Sequence, residues 1–235
     1  MRPAILAVTL GACFFEPSRP NASHSDAPTS DGSAGSGGGS CVMPALHDDF
    51  NAAGTGCGPD FDGENASVSR SGGALHLAPV PNSQSLAGCT QSNFTFTDGA
   101  FIKLTSTLPW RTTATTTAYT LFEADEIGSG SVAAKMEVTT GQDNMPTIEL
   151  DNDQGQNVGP VDNFTQPAWL RMMPGGDGQS VVGDWSPDGQ TWRPLGTVSF
   201  PGGTAHVTLI IGAGEGGGNT STPGEAVVDS FNVCP

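Results

Sequence analysis

Glu123, Asp125 and Glu126 place three carboxylates within four residues, on a segment whose apolar residues alternate as in a strand. Retaining glycoside hydrolysis needs two carboxyl groups about 5 Å apart on one face, and strand side chains two positions apart share a face. Glu123 and Asp125 meet that condition, whereas Glu126 falls on the opposite face. In a second polar stretch, Asp151, Asp153 and Asn157 offer side-chain oxygens of the kind calcium accepts. An EF-hand does not fit there, because Gly155 stands at the fifth position and Asp162, not glutamate, at the twelfth. An ordinary polar turn is the simpler account of those residues. Trp110, Tyr119 and Trp169 are candidate sugar platforms, since an aromatic face stacks on the C–H surface of a pyranose; Trp185 and Trp192 are assigned to the core, the commoner place for an indole. The histidines at 24, 47, 76 and 206 are isolated and no Cys-x-x-Cys occurs, so no zinc site is expected.

These residues must be positioned by a chain of 235 residues carrying 8 Lys and Arg against 24 Asp and Glu, a formal charge of -16. So few cations cannot neutralise a phosphate backbone, which excludes nucleic acid and anionic membrane surfaces as partners. Charged residues make up only 14% of the chain, too few to clothe long solvent-facing helices. With 33 Gly and 18 Pro, the composition points to an all-β domain with many turns.

Period-two segments recur at 93–96, 100–108, 118–124, 132–139, 147–150, 168–173, 181–185, 191–200, 206–211 and 226–233, between Gly, Pro, Asn and Asp punctuation. Their spacing predicts a two-sheet antiparallel β-sandwich over residues 41–235. Asp188-Gly189 predicts a two-residue hairpin turn that would set Trp185 opposite Trp192.

The N-terminus reads as an address. Met1-Arg2 precedes a short apolar run, and Leu10-Gly11-Ala12-Cys13 resembles the lipobox of bacterial lipoproteins, in which the cysteine is lipidated. Residues 1–13 are thus expected to be a signal peptide and Cys13 the lipidation site, with the membrane reached through that lipid alone. Phe14, rather than Asp, after the cysteine resembles the pattern that sorts to the outer membrane or cell surface. Residues 14–40 include a stretch dominated by Ser, Gly and Ala that cannot bury enough apolar surface to order itself, and are expected to form a flexible tether. The remaining cysteines, Cys41, Cys57, Cys89 and Cys234, suggest two disulfides with three possible connectivities. A Cys41–Cys234 bridge would staple the domain ends and leave Cys57 to Cys89.

Trp169-Leu170-Arg171, the run from Val181 through Asp184-Trp185-Ser186-Pro187-Asp188-Gly189-Gln190-Thr191-Trp192, the closing Ala226-Val227-Val228-Asp229-Ser230-Phe231-Asn232-Val233 and the opening Asp48-Asp49-Phe50-Asn51 together resemble the concanavalin A-like lectin/glucanase superfamily. The resemblance implies a jelly roll whose first and last strands are neighbours. It also implies a structural calcium near that junction, at Asp49 and Asp229. In the laminarinase-type glucanases of this superfamily a third acid follows the Glu-x-Asp pair, but Ile127 and Gly128 occupy those positions here. No catalytic residue is therefore assigned. The expectation is a surface-displayed bacterial lipoprotein whose jelly roll binds polysaccharide or glycan, or acts in adhesion, without cleaving it. A laminarinase-type glycoside hydrolase using Glu123 and Asp125, and a purely structural envelope protein, are the rivals.

Overall fold

The computed structural model describes residues 46–51, 57–58, 60–62, 66–79, 85–108, 118–127, 133–140, 145–161, 164–215 and 224–234. The described residues all belong to one compact unit, Gly38–Pro235. The expected signal peptide, tether and lipidated Cys13, together with Cys41 and Trp110, lie outside the described residues.

Fourteen strands form among the described residues: β1 (Asp60–Asp62), β2 (Ala66–Ser71), β3 (Ala74–Pro79), β4 (Ser85–Thr95), β5 (Ala100–Ser106), β6 (Ala118–Glu126), β7 (Ala133–Thr140), β8 (Pro146–Asn152), β9 (Asn157–Val161), β10 (Ala168–Pro174), β11 (Ser180–Ser186), β12 (Arg193–Ser199), β13 (His206–Glu215) and β14 (Ala226–Phe231). They make two seven-stranded sheets, ordered β1-β4-β13-β6-β7-β8-β9 and β12-β11-β10-β5-β14-β3-β2. All pairings between named strands are antiparallel. This is the expected two-sheet sandwich. Alternation drives it: Phe122, Met136 and Ile211 of the first sheet, and Leu75, Ile102 and Leu170 of the second, are buried in one common core. Each such side chain contributes about 1.5–3 kcal/mol on burial. The polar residues between them are turned outward, which leaves two faces free to carry sites.

The ends of the domain meet as the family resemblance implied. Asp48 and Phe231 exchange both backbone hydrogen bonds at 2.8 Å. The Asp48 carboxylate is buried and accepts from the amides of Phe50 at 2.7 Å and Cys57 at 3.3 Å. Asn232, wholly buried at φ 54°, donates from Nδ2 to the Leu46 carbonyl at 3.1 Å. Its Oδ1 accepts from the Phe101 amide at 2.8 Å. One asparagine thus joins the opening segment, β5 and the end of β14. Cys57 and Cys89 form a disulfide with a Cα–Cα separation of 5.8 Å, and Cys234 is also disulfide-bonded.

The hairpin between β11 and β12 corrects the expectation. Trp185 lies opposite Arg193, not Trp192. The Asp188 carboxylate accepts from the Gln190 amide at 2.8 Å and the Thr191 amide at 2.7 Å, while Ser186 Oγ accepts from the Gly189 amide at 2.9 Å. These side-chain caps satisfy the backbone over a longer loop, so no two-residue turn is needed. Trp185 is buried and stacks edge-on against Phe164, as assigned. Trp192 is only half-buried, with the Arg171 guanidinium 4.0 Å from its ring centroid, which corrects its assignment to the core. Strands β1 to β3, most of β4, and β9 escaped the sequence reading, because short runs such as Asn157-Val158-Gly159-Pro160-Val161 resemble turns in composition.

Replacing Asn232 by Ala is expected to lower unfolding free energy by about 2–4 kcal/mol, since it strands two buried backbone groups and puts a β-carbon residue without local hydrogen bonding at positive φ. Urea denaturation measures this, and a loss below about 0.5 kcal/mol would show that the clasp is not holding the domain ends.

Candidate functional site

The outward face of the first sheet is built row by row across β13, β6, β7 and β8. One row reads Ile210, Glu123, Lys135, Asp151; the next reads Gly212, Leu121, Glu137, Glu149; the third reads Gly214, Tyr119, Thr139, Thr147. Asp125 extends the face between Thr208 and Ala133. Antiparallel pairing fixes these neighbours about 5 Å apart, so the face is a rigid array of polar side chains. Glu123 and Asp125 share it, as predicted from their spacing. Glu126 turns to the other side, where it is buried and accepts a hydrogen bond from the Gly202 amide. Ile127, at the position where a third acid would be expected, is exposed.

Lys135 organises the centre of this face. Its ammonium lies 3.1 Å from Glu137 and 3.5 Å from Asp151. Burial alone would depress the lysine pKa, but the Glu137 and Asp151 charges reverse that and hold it above the usual lysine range. Asp151, by contrast, is pushed up to about 6 because burial outweighs the help from Lys135. Glu123 is pushed up to about 8, first by burial and then by the hydrogen bond and charge of Asp125. Asp125 is itself raised by burial and by Asp153, against the hydrogen bond from Glu123. Burial and the neighbouring Asp125 thus favour the proton on Glu123, which donates in the hydrogen bond to Asp125.

The first calcium candidate set is dispersed over the β8–β9 turn. Asp151 faces Lys135, Asp153 is exposed on the loop, and Asn157 Nδ2 donates to Glu149 at 2.9 Å. The turn is held by Asn152, whose Oδ1 accepts from the amides of Gln154 at 3.1 Å and Gln156 at 3.0 Å and whose Nδ2 donates to the Ser199 carbonyl at 3.0 Å. It is a self-satisfied polar turn.

The second calcium pair, Asp49 and Asp229, lies on the opposite face, where both line one open depression together with Lys103, Trp169 and Ser230. Asp229 is ion-paired with Lys103, and Asp49 accepts from the Asn51 amide at 3.1 Å. Among the described residues no group of three or more His, Cys, Asp or Glu is placed to share a metal ion. Trp169, named as a platform, is 7% exposed and packs against Phe101, with ring centroids 6.1 Å apart. Tyr119 is half-buried at the far end of the first face. Lys135, Glu137, Lys103 and Ser230 were missed by sequence reading; the alternation of Lys135, Glu137 and Thr139 was the signal that could have exposed the first two.

No protein-family model matches the chain, and no curated protein matches it. Among solved structures, the winged bean acidic lectin complexed with methyl-alpha-D-galactose is similar over 79% of this chain and 93% of its own, at 13% identity and a TM-score of 0.51. Lectin UEA-II complexed with galactose is similar over 79% and 95%, at 14% identity and a TM-score of 0.50. A Bacillus licheniformis beta-glucanase covers 79% and 95% at 13% identity, with a TM-score of 0.48. With its two antiparallel sheets and adjoining ends, the domain is a concanavalin A-like jelly roll.

The raised Glu123 pKa has a stability consequence with a definite sign. An unfolded glutamate loses its proton near 4.5, the folded one near 8, so the contribution is whole below about pH 4.5 and is lost as pH rises through about 8. Thermal midpoints are expected to fall from pH 5 to pH 8, and Glu123→Gln, which cannot ionise, should flatten that profile. The His76–Glu225 pair, whose histidine pKa is raised chiefly by its hydrogen bond to Glu225, titrates on the second sheet and adds the same slope to both proteins. Parallel profiles for wild type and variant would refute the proton on Glu123.

Proposed function

We propose that the chain is a non-catalytic glycan-binding jelly roll whose recognition face is the outward side of β6, β7 and β8. The observation that carries this is the array of Glu123, Asp125, Lys135 and Glu137 on one rigid face beside Tyr119. Carboxyl oxygens that accept beside a Lys135 ammonium that donates match sugar hydroxyls, which do both. Tyr119, half-buried on the same face, adds apolar surface for the C–H side of a ring.

Hydrolysis is left out of this reading because Ile127 and Gly128 stand where the family resemblance calls for a third acid after Glu123 and Asp125. The saccharides in the two lectin structures support this reading through the shared fold. Display at the surface of a bacterium, through a lipid on Cys13 and the 14–40 tether, is proposed from the sequence alone; Cys13→Ser is expected to abolish fatty-acid labelling.

The test is a screen of the full chain against a polysaccharide and glycan panel, with calcium and with a chelator, while reducing-end release is followed. Saturable binding without release is expected, weakened about tenfold by Asp125→Ala through loss of a charged hydrogen-bond acceptor. Chelator should leave binding intact, because Lys103 already pairs with Asp229 and Lys135 with Asp151. Loss in chelator with rescue by calcium would make the ion a cofactor. Cleavage abolished by Glu123→Gln would replace this reading with a glycoside hydrolase.

A further inference from the structure

The outward face of the second sheet carries an open depression of about 400 Å³, bounded by Gly72 and Gly73 of the β2–β3 turn, by Asp49 and Asn51, and by the end of β14. A register shift makes it. Pairing of β14 with β5 is irregular between Val227 and Val228 and again between Val228 and Ser230, and Ser230 comes to lie opposite Lys103. Val228 and Phe231 stay in the core, while Asp229 and Ser230 both line the depression. A bulge re-aims side chains in this way, and bulges recur beside binding sites. Lys103 pairs with Asp229 and sits 6.0 Å from the centroid of the Trp169 ring, which forms part of the wall.

Ser230 supplies the independent sign of a ligand. It is 6% exposed, and its Oγ has no hydrogen-bond partner. A buried hydroxyl without a partner is costly, and a native structure that keeps one holds a donor and acceptor in reserve.

We propose that this depression is a second saccharide site, on the sheet opposite the Glu123 face, that takes one neutral pyranose ring. The indole of Trp169 offers an apolar edge to the ring, Asp49 and Asp229 accept from its hydroxyls, Lys103 donates, and Ser230 Oγ does either. Two carboxylates against one ammonium leave a negative excess that repels anionic sugars. The volume lies near the lower end of small-ligand pockets, which suits a single ring. This site stands independently of the first face, and a chain with both would bridge two glycans or grip one at two points.

The test follows the indole N–H resonance of Trp169, assigned with Trp169→Phe, while the full chain is titrated with the methyl pyranosides of galactose, glucose and mannose. A saturable shift is expected with at least one of them. Ser230→Ala, which removes only the unpartnered hydroxyl, should weaken binding read at that resonance about fivefold. Asp229→Asn, which keeps the shape, should weaken it similarly, while the Trp169 titration persists in Glu123→Gln. A Trp169 resonance that stays still with all three pyranosides overturns the second site, even where the glycan screen finds binding at the first. A shift abolished by Glu123→Gln but indifferent to Ser230→Ala and Asp229→Asn also overturns it.

Discussion

Everything on both faces depends on the closure of the domain at Asp48 and Phe231. Their two reciprocal backbone hydrogen bonds join the opening segment to β14, and β14 runs between β5 and β3 near the centre of the second sheet. Asn232 and the buried Asp48 carboxylate then satisfy the amides and carbonyls that this closure takes out of water. Burial raises the Asp48 pKa in spite of the two amides that lower it, so the closure holds a polar group whose desolvation is only partly offset. Such a junction is stable only while its hydrogen bonds are complete. It also fixes the rotation of β14, and with it which residues on either side of the 228–230 slip face the core.

The two outward faces solve the problem of half-buried charge differently. On the second sheet Lys103 pairs with Asp229, and Arg171 with Asp184 through Nε at 3.1 Å and Nη2 at 2.6 Å. Arg171 also covers Trp192 and partly shields its ring. On the first sheet a single Lys135 meets Glu123, Glu137 and Asp151. One ammonium cannot neutralise them, and the excess is relieved by retaining protons on Glu123 and by raising Asp151. Protonation is the less costly outcome when like charges share a low-dielectric surface.

Much of the sandwich was legible in the sequence because alternation is a local property. Ala100–Ser106 and Ala133–Thr140 announce their buried and outward positions residue by residue. The shared face of Glu123 and Asp125 and the opposed face of Glu126 followed from the same period. What could not be read was whatever depends on partners distant in sequence. The bond from Asn152 to Ser199 spans 47 residues, and the one from Phe101 to Asn232 spans 131. The β11–β12 loop failed for another reason. Asp188-Gly189 is a strong local turn signal, yet the Ser186 and Asp188 side chains capture three nearby amides and stabilise a longer loop against it.

The depression at Ser230 was invisible for a sharper reason: strict period-two counting excludes it. Val228, Asp229, Ser230 and Phe231 read as core, out, core and out under unbroken alternation, which would bury Ser230 in the sandwich and expose Phe231. The structure instead breaks register on both sides of Val228, keeps Phe231 in the core and places two polar residues at the depression. The irregularity is favoured because burying Phe231 gains about 1.5–3 kcal/mol. A single hydrophobic side chain near the domain closure therefore decides where Asp229 and Ser230 point, and so couples the packing of the two ends to the chemistry of the face beside them.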